Sequence, residues 1–210
     1  MSLRTSGQLL LVGSLGLILA NILQIVIPGP GGLGGPASAP ADSVAIVSGI
    51  IAIVGFPALY RMLGERAGRA GRIGVALLAL GTLGAFVIGA IVQMLDVLFR
   101  GSVPHDRPHG PPTFVIIIFV VSFLSYALGG VVVGIVSLRA HALPAGVGWL
   151  LILGAVLLIP SNMVFPNDSL AGNIAPNAVV SIIYAAWAWA ATRAMSQQQL
   201  VATSRAASGY

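Results

Sequence analysis

Residues Thr113–Leu138, TFVIIIFVVSFLSYALGGVVVGIVSL, give the clearest indication of the fold of this chain. This stretch contains no charged side chain and no proline, and most of its residues are Val, Ile, Leu or Phe. A helix of about 20 apolar residues crosses the roughly 30 Å hydrocarbon core of a bilayer, because a helix satisfies its own backbone amides. The stretch is therefore predicted to span a membrane.

The rest of the 210-residue chain has the same character, with 57% hydrophobic and 7% charged residues. Its mean hydropathy is +1.00. An ordinary soluble domain carries about a quarter charged residues, which it needs to cover its surface. Lipid is therefore the expected surroundings. The absence of cysteine from the sequence excludes disulfides, thiolate metal sites and cysteine nucleophiles.

Six apolar stretches are long enough to cross a bilayer, and Pro-, Gly- or Arg-rich connectors separate them. The predicted fold class is all-α, an integral membrane bundle of six transmembrane helices within residues 1–195. A polar tail at 196–210 is predicted to be disordered. The first break between spans is Pro28–Asp42, and its Gly-rich part, Pro28–Pro36, is interpreted as a flexible external connector. The predicted spans are residues 9–27, 44–62, 73–99, 113–138, 147–165 and 176–193.

The arginines predict the orientation, since positively charged short loops stay in the cytoplasm. With the N-terminus inside and six spans, both termini are cytoplasmic and only Arg100 and Arg107 lie outside. Trp187 is expected near the inner membrane interface, where amphipathic rings are favoured. The residues predicted inside are Arg4, Arg61, Arg66, Arg69, Arg72, Arg139, Arg193 and Arg205.

Every basic residue apart from the histidines is arginine, and Ala and Gly are abundant, which is typical of GC-rich bacterial genomes. The predicted location is the bacterial cytoplasmic (inner) membrane, where the protein is multi-pass. Nucleic acid is not an expected partner, because the arginines form no basic stripe with interleaved aromatic residues. The first span follows Arg4 as a signal peptide would, but its length predicts a retained signal anchor.

Two segments resemble uncharacterised small polytopic membrane proteins of actinobacteria and related bacteria. They are Arg4–Ser14, RTSGQLLLVGS, and the basic hairpin Ala58–Gly81. The resemblance covers about the first half of the chain. It implies six spans and no particular activity.

Polar side chains within or beside the spans gather toward the predicted outer side. One interpretation is that they cap helix ends or make single interhelical hydrogen bonds at the headgroup level. The other is an outward-open ligand pocket in which Asp96 is the buried charge and Arg100, one turn later, is its partner. The candidate ligand-binding residues are Asn21, Gln24, Gln93, Asp96, Asn162, Asn173 and Asn177.

The third connector holds a candidate metal site at His105, Asp106 and His109. Imidazole and carboxylate ligands suit zinc or copper. The prolines around them forbid a helix that would place both histidines on one face, so such a site requires an extended loop. The alternative is an ordinary solvated loop.

Small residues at helical spacing predict close helix packing. Gly130 and Gly134 form a GxxxG pair, which lets two helix backbones approach each other. We expect this pair to pack helices within one chain rather than between chains. Pro57 removes a backbone hydrogen bond and predicts a kink in the second span.

These patterns contain no catalytic constellation, and they identify no cofactor. The leading hypothesis is a non-enzymatic accessory, structural or sensing subunit that binds lipid, a small apolar ligand or partner helices. A small transporter or channel with an outward polar cavity is the alternative, and a metalloenzyme using the His/Asp loop is a second. Besides the bilayer, partner membrane subunits or further copies of the chain are expected.

Overall fold

The computed structural model describes residues 2–27, 39–92, 95, 113–164 and 170–207, without the side chains of 170, 173 and 197–207. All regular structure in these ranges is helical, as the sequence predicts. Five helices are long and apolar enough to cross a membrane. These five helices are Leu3–Val26, Ala39–Val92, Thr113–Ala140, Ala145–Met163 and Ile174–Ser196.

The helices are numbered here along the chain. Helix α1 is Leu3–Val26, α2 is Ala39–Gly55 and α3 is Pro57–Thr82. A π-helical segment, Leu83–Ile88, continues α3 directly. Helix α4 is Thr113–Ala140, α5 is Ala145–Met163 and α6 is Leu170–Ala207.

The helix α3 folds back on itself at Gly68. Gly68 has φ 60° and ψ −139°, a conformation open to glycine and strained for other residues. A Cβ added at Gly71 would lie 3.0 Å from Leu63 Cβ, although residues eight apart in a straight helix are about 12 Å apart. The guanidinium of Arg72 lies 5.7 Å from the centre of the Tyr60 ring. Residues 57–67 therefore form a first arm, and residues 69–92 form a second arm that includes the π segment.

The helices pack as a closed ring in chain order. Helix α1 packs on α2, and α2 packs on the π segment of the second arm. That arm packs on α4, α4 on α5, α5 on α6, and α6 returns to α1. Helix α2 gives way to the first arm at Pro57, which cannot donate the backbone hydrogen bond that would continue the helix. The ring encloses one shared interior.

Many small side chains are buried between the helices, and many large apolar side chains face outward. Ser14 and Thr82 are fully buried and donate their hydroxyl groups to the carbonyl oxygens of Leu10 and Leu78, at 2.6 and 2.7 Å. By contrast, Ile117, Leu128 and Val156 are each 57% exposed. A water-soluble protein rarely exposes such large contiguous apolar surface, whereas lipid accommodates it. The chain is a multi-pass membrane protein.

The GxxxG pair lies between two helices of the same chain, as the sequence predicts. A Cβ at Gly134 would lie 2.7 Å from the carbonyl oxygen of Gly148, on α5. One turn earlier, a Cβ at Gly130 would lie 3.0 Å from Ala155 Cβ. The pair therefore brings the backbones of α4 and α5 together.

An aromatic cluster occupies the centre of the ring. Trp187 is fully buried, with ring centres 4.9 Å from Phe56, 5.2 Å from Tyr184 and 5.9 Å from Tyr126. Phe86, in the π segment, lies 5.2 Å from Tyr126 and 5.7 Å from Tyr184. Most of these pairs meet edge to face, the geometry that aromatic quadrupoles favour. The cluster joins the π segment, α4 and α6 to Phe56, the residue between α2 and α3.

Two features of α6 bear on the sequence predictions. Trp187, expected near the inner membrane interface, is fully buried inside the bundle against Phe56, Tyr126 and Tyr184. The helix begins at Leu170, before Pro176, and continues to Ala207 through most of the tail predicted to be disordered. The segment from Ser196 to Ala207 contains no glycine or proline, so nothing in it stops a helix.

Candidate functional site

A cavity of about 130 Å³ lies inside the ring, beside the aromatic cluster. Helices α1, α2, α4, α5 and α6 and the second arm of α3 all contribute to its lining. Four of the seven candidate ligand-binding residues line it. They are Asn21, Gln24, Asn162 and Asn177.

Asn21 holds the far end of α1 against α6. Its Nδ2 donates to Ser181 Oγ at 3.0 Å and to the Asn177 carbonyl oxygen at 3.3 Å. Ser181 Oγ in turn donates to the same carbonyl at 2.8 Å. Because a carbonyl only accepts, the amide nitrogen of Asn21 must face α6, and its Oδ1 points to the other side. Within the described residues, Oδ1 accepts no hydrogen bond.

Asp42 lines the same cavity and was not among the sequence candidates. It lies in the first turn of α2 and is only 3% exposed, although the sequence assigns it to an external connector. The Gln24 side chain, on α1, donates from Nε2 to Asp42 Oδ1 at 3.4 Å. Asp42 shares a helical face with Ala45, Gly49 and Ala52, three buried small residues. That row of small residues was the available signal for its burial.

Asn162 completes the polar lining from α5. Its Nδ2 donates to the Leu158 carbonyl oxygen at 2.7 Å, and the residue is exposed to the outside as well as to the cavity. This bond again employs the amide nitrogen, so the carbonyl oxygen of the side chain remains an acceptor.

The remaining sequence candidates are not placed by the structure. Gln93 and Asp96 lie outside the described residues, and so does the proposed metal loop of His105, Asp106 and His109. Asn173 belongs to α6, but its side chain is not described. In the part of the chain that is described, no three His, Asp or Glu side chains cluster as metal ligands.

The other wall of the cavity is aromatic and aliphatic. Phe86, Phe119, Phe123 and Tyr126 line it together with aliphatic side chains. The Tyr126 hydroxyl is buried and makes no hydrogen bond to any described residue, as is also true of the Tyr184 hydroxyl and the Trp187 indole N–H. Buried donors of this kind commonly mark positions where water or a ligand binds.

Irregular helix segments converge on this cavity. Ala85 and Phe86 belong to the π segment, whose register is marked by the bond from the Gly89 N–H to the Gly84 carbonyl oxygen. Pro160 lies within α5 two residues before Asn162, and Pro176 lies within α6 in the lining itself. Single π turns and proline breaks in helices recur at functional sites. Their position here favours this cavity as the functional site.

Several arginines of the described helices lie at the opposite end of the bundle from the polar lining. Arg66, beside the Gly68 turn, donates from a guanidinium nitrogen to the His141 carbonyl oxygen at 3.0 Å. His141 lies in the turn between α4 and α5. A Cβ at Gly146, at the start of α5, would lie 2.6 Å from the Trp189 ring. Both turns therefore share one end of the bundle with the last part of α6.

The start of α1 is at the same end, since a Cβ at Gly7 would lie 3.1 Å from Met195 Cγ. Arg4 and Arg193 therefore lie there with Arg66. Among the described residues, one end of the bundle, here called the basic end, therefore carries arginines, and the other carries Asn21, Gln24 and Asp42.

The chain is therefore a helical multi-pass membrane protein, and a cavity inside its bundle is lined by polar and aromatic side chains. Comparison with known proteins finds no match for the chain among family models, curated proteins or solved structures.

Proposed function

We propose that this protein is a non-enzymatic ligand-binding protein of the bacterial inner membrane, with six spans and both termini in the cytoplasm. Its ligand is a small amphipathic molecule that enters the cavity from the outer side. The protein then acts as a sensing or accessory subunit, and its response depends on whether the cavity is occupied.

The observation that carries the proposal is the cavity itself, lined from every helical segment of the ring. Native protein interiors contain few voids larger than a water molecule, and about 150 Å³ of apolar space is enough to bind benzene. At about 130 Å³, this cavity suits a molecule of roughly that size, or one end of a longer amphiphile. Binding or release of a ligand in the cavity would change the contacts of all the helices that line it.

The two walls favour an amphipathic ligand. Asn21, Gln24, Asp42, Asn162 and Asn177 provide hydrogen-bonding groups, and four aromatic side chains face them across the same space. Ligand sites in proteins commonly combine a mostly apolar wall with a few convergent polar groups.

The orientation follows from the basic end. Short arginine-rich loops stay in the cytoplasm, so that end is assigned to the inside and the cavity to the outer half. The fold-back at Gly68 divides Ala39–Val92 into residues 39–67 and residues 69–92, which run in opposite directions, and this supports counting them as two spans.

Cysteine labelling tests this topology, because the chain contains no cysteine of its own. We expect Ser38→Cys to react with a membrane-impermeant maleimide on intact spheroplasts, since the proposed topology puts that residue outside. Ala70→Cys, in the exposed Gly68 turn, should react only after the membrane is permeabilised. Labelling of Ala70→Cys in intact spheroplasts would contradict the orientation.

Filling the cavity tests the binding proposal. The probe is tert-butyl alcohol, a compact amphipathic molecule, measured by ligand-observed NMR with protein-free micelles as the blank. We expect millimolar binding to the unmodified protein, consistent with the small affinity that about five heavy atoms provide. Ala90→Phe, at a buried lining position, should reduce this binding at least tenfold because the ring occupies the space.

Ala76→Phe is the matched control, because Ala76 lies on the same arm and is exposed to lipid. Ala45→Leu fills the cavity from α2, and it is a second test of the proposal if Ala90→Phe does not fold. Thermal unfolding of each variant shows whether the fold survives. Unchanged probe binding in folded Ala90→Phe and Ala45→Leu would contradict the proposal.

A small transporter is the second candidate, favoured by the π segment and the two prolines at the cavity. Such breaks occur in the helices that line transport sites. Asp96 is the coupling group that this alternative uses. Accumulation of substrate inside proteoliposomes distinguishes it from binding alone, since a sensing protein moves nothing across the membrane.

A further inference from the structure

We infer that the ligand of this cavity is an alcohol. Its neutral hydroxyl group would donate a hydrogen bond to Asn21 Oδ1 and accept one from the Tyr126 hydroxyl, and its apolar body would lie against the aromatic wall. The inference rests on the proposed function, since it names the chemical class of the molecule that the cavity binds.

Tyr126 is the first support, because it brings an unpaired donor to the cavity. The residue lines the cavity and is 1% exposed, and its hydroxyl group makes no hydrogen bond to a described residue. A buried hydroxyl without a partner carries the full cost of losing its contact with water. A ligand oxygen that accepts from this hydroxyl removes that cost.

The aromatic cluster around Tyr126 carries more donors than acceptors. Tyr184 and Trp187 are fully buried, and the Tyr184 hydroxyl and the Trp187 indole N–H are also unpaired among the described residues. The three donors share only two oxygens, and two hydroxyls cannot donate to each other at once, so at least one donor lacks a partner in any arrangement of the three. Of these residues, Tyr126 is the one that lines the cavity.

Asn21 is the second support, because it brings an unpaired acceptor. Its Nδ2 donates to Ser181 Oγ at 3.0 Å and to the Asn177 carbonyl oxygen at 3.3 Å. That carbonyl can only accept, which fixes the orientation of the amide and turns Oδ1 away from α6. Asn21 lines the cavity and is 7% exposed, and its Oδ1 accepts no hydrogen bond from a described residue.

A hydroxyl group on the ligand suits both residues, because it has a hydrogen to donate and lone pairs that accept. A ketone or ether only accepts and would leave Asn21 Oδ1 unpaired, whereas a protonated amine only donates and would leave the Tyr126 hydroxyl unpaired. Phe86, Phe119 and Phe123 line the same space and suit an apolar body. Together these groups favour an alcohol.

Three probes with the same number of heavy atoms test the hydroxyl group. Cyclohexanol donates and accepts, cyclohexanone only accepts, and toluene is the apolar reference. Their affinities for the full-length protein in detergent are measured by ligand-observed NMR, with protein-free micelles as the blank. The affinities of cyclohexanol and cyclohexanone are each divided by that of toluene in the same sample. These two ratios do not respond to a general loss of folded protein.

Tyr126→Phe removes the donor and keeps the ring. Both ratios should fall about fivefold, the usual effect of one hydrogen bond, because the alcohol and the ketone each accept from Tyr126. Tyr60→Phe is the matched control, since it removes the hydroxyl group of a 44% exposed tyrosine away from the cavity and should change neither ratio. A cyclohexanol ratio that is the same in Tyr126→Phe and in the unmodified protein would overturn the inference.

Asn21→Leu removes the acceptor and keeps a side chain of similar size. The cyclohexanol ratio should fall about fivefold, whereas the cyclohexanone ratio should stay the same, because the ketone has no hydrogen to donate. A packing defect would instead lower both ratios. Equal falls of the two ratios, or no fall in the cyclohexanol ratio, would overturn the role of Asn21 as the acceptor. If Asn21→Leu does not fold, the result for Tyr126→Phe decides.

The outcomes separate this inference from the proposed function. If Ala90→Phe weakens the binding of all three probes while Tyr126→Phe leaves both ratios unchanged, the cavity binds ligands but does not select alcohols, and this inference alone fails. If folded Ala90→Phe and Ala45→Leu change the binding of none of them, both proposals fail.

Discussion

Trp187→Ala is expected to lower the free energy of unfolding by about 3–5 kcal/mol, the range for removing a buried large aromatic side chain. Trp187 is fully buried and contacts Phe56, Tyr126 and Tyr184. Its indole N–H makes no hydrogen bond to a described residue, so the loss is one of packing. Packing contacts provide much of the stability between helices in lipid. Lipid tails are as apolar as the side chains, so no hydrophobic driving force brings the helices together.

The measurement is thermal unfolding in detergent. A loss of this size corresponds to a fall in the unfolding midpoint of about 6–20 °C in a chain of this length. Trp149→Ala removes the same side chain from α5, where it is 63% exposed, and should change the midpoint little. Equal effects of the two substitutions would show that Trp187 is not a central packing residue.

Gly81→Val is expected to destabilise the interface between the second arm of α3 and α4 by about 3 kcal/mol or more. A Cβ at Gly81 would lie 2.6 Å from the backbone nitrogen and Cα of Tyr126, closer than real Cβ contacts. Overpacking generally costs about 1–3 kcal/mol, and the upper end applies here because helix backbones cannot move aside as a side chain can. Tyr126 also lines the cavity, so the same change should weaken probe binding.

A graded series makes this prediction specific. Gly81→Ala should lower the unfolding midpoint, and Gly81→Val should lower it further as volume increases. Ala76→Val, on the lipid-facing side of the same arm, should change stability by less than about 0.5 kcal/mol, as is usual for surface sites. If Gly81→Val unfolds at the same temperature as Ala76→Val and the unmodified protein, the close approach at Gly81 is contradicted.

The site could be predicted only in part. Asn21, Gln24, Asn162 and Asn177 were recognisable because polar side chains are rare in apolar spans, and each is costly in lipid without a partner. That they line one space depends on the ring order of the helices, which no single span encodes. Asp42 was missed because the preceding Gly- and Pro-rich residues indicated a connector. Its burial depends on α1, whose Gln24 lies against it.

The backbone irregularities, too, could be predicted from the sequence only in part. Pro57 has a direct local consequence, since a proline removes one backbone hydrogen bond and kinks or breaks a helix, and α2 does end next to it. The π segment at Leu83–Ile88 has no such local signature. It contains ordinary apolar and small residues, and its register places Phe86 against Tyr126 and Tyr184.

That this protein is helical and multi-pass can be inferred from its amino-acid order, because apolar stretches of this length satisfy their amides in lipid only as helices. Which face of each helix is buried depends on how the helices pack. Hydropathy does not distinguish a face that meets lipid from one that meets another helix, since both are apolar. For that reason Trp187 in the aromatic cluster, Asp42 in the cavity and the backbone contact at Gly81 became visible only once the helices were packed.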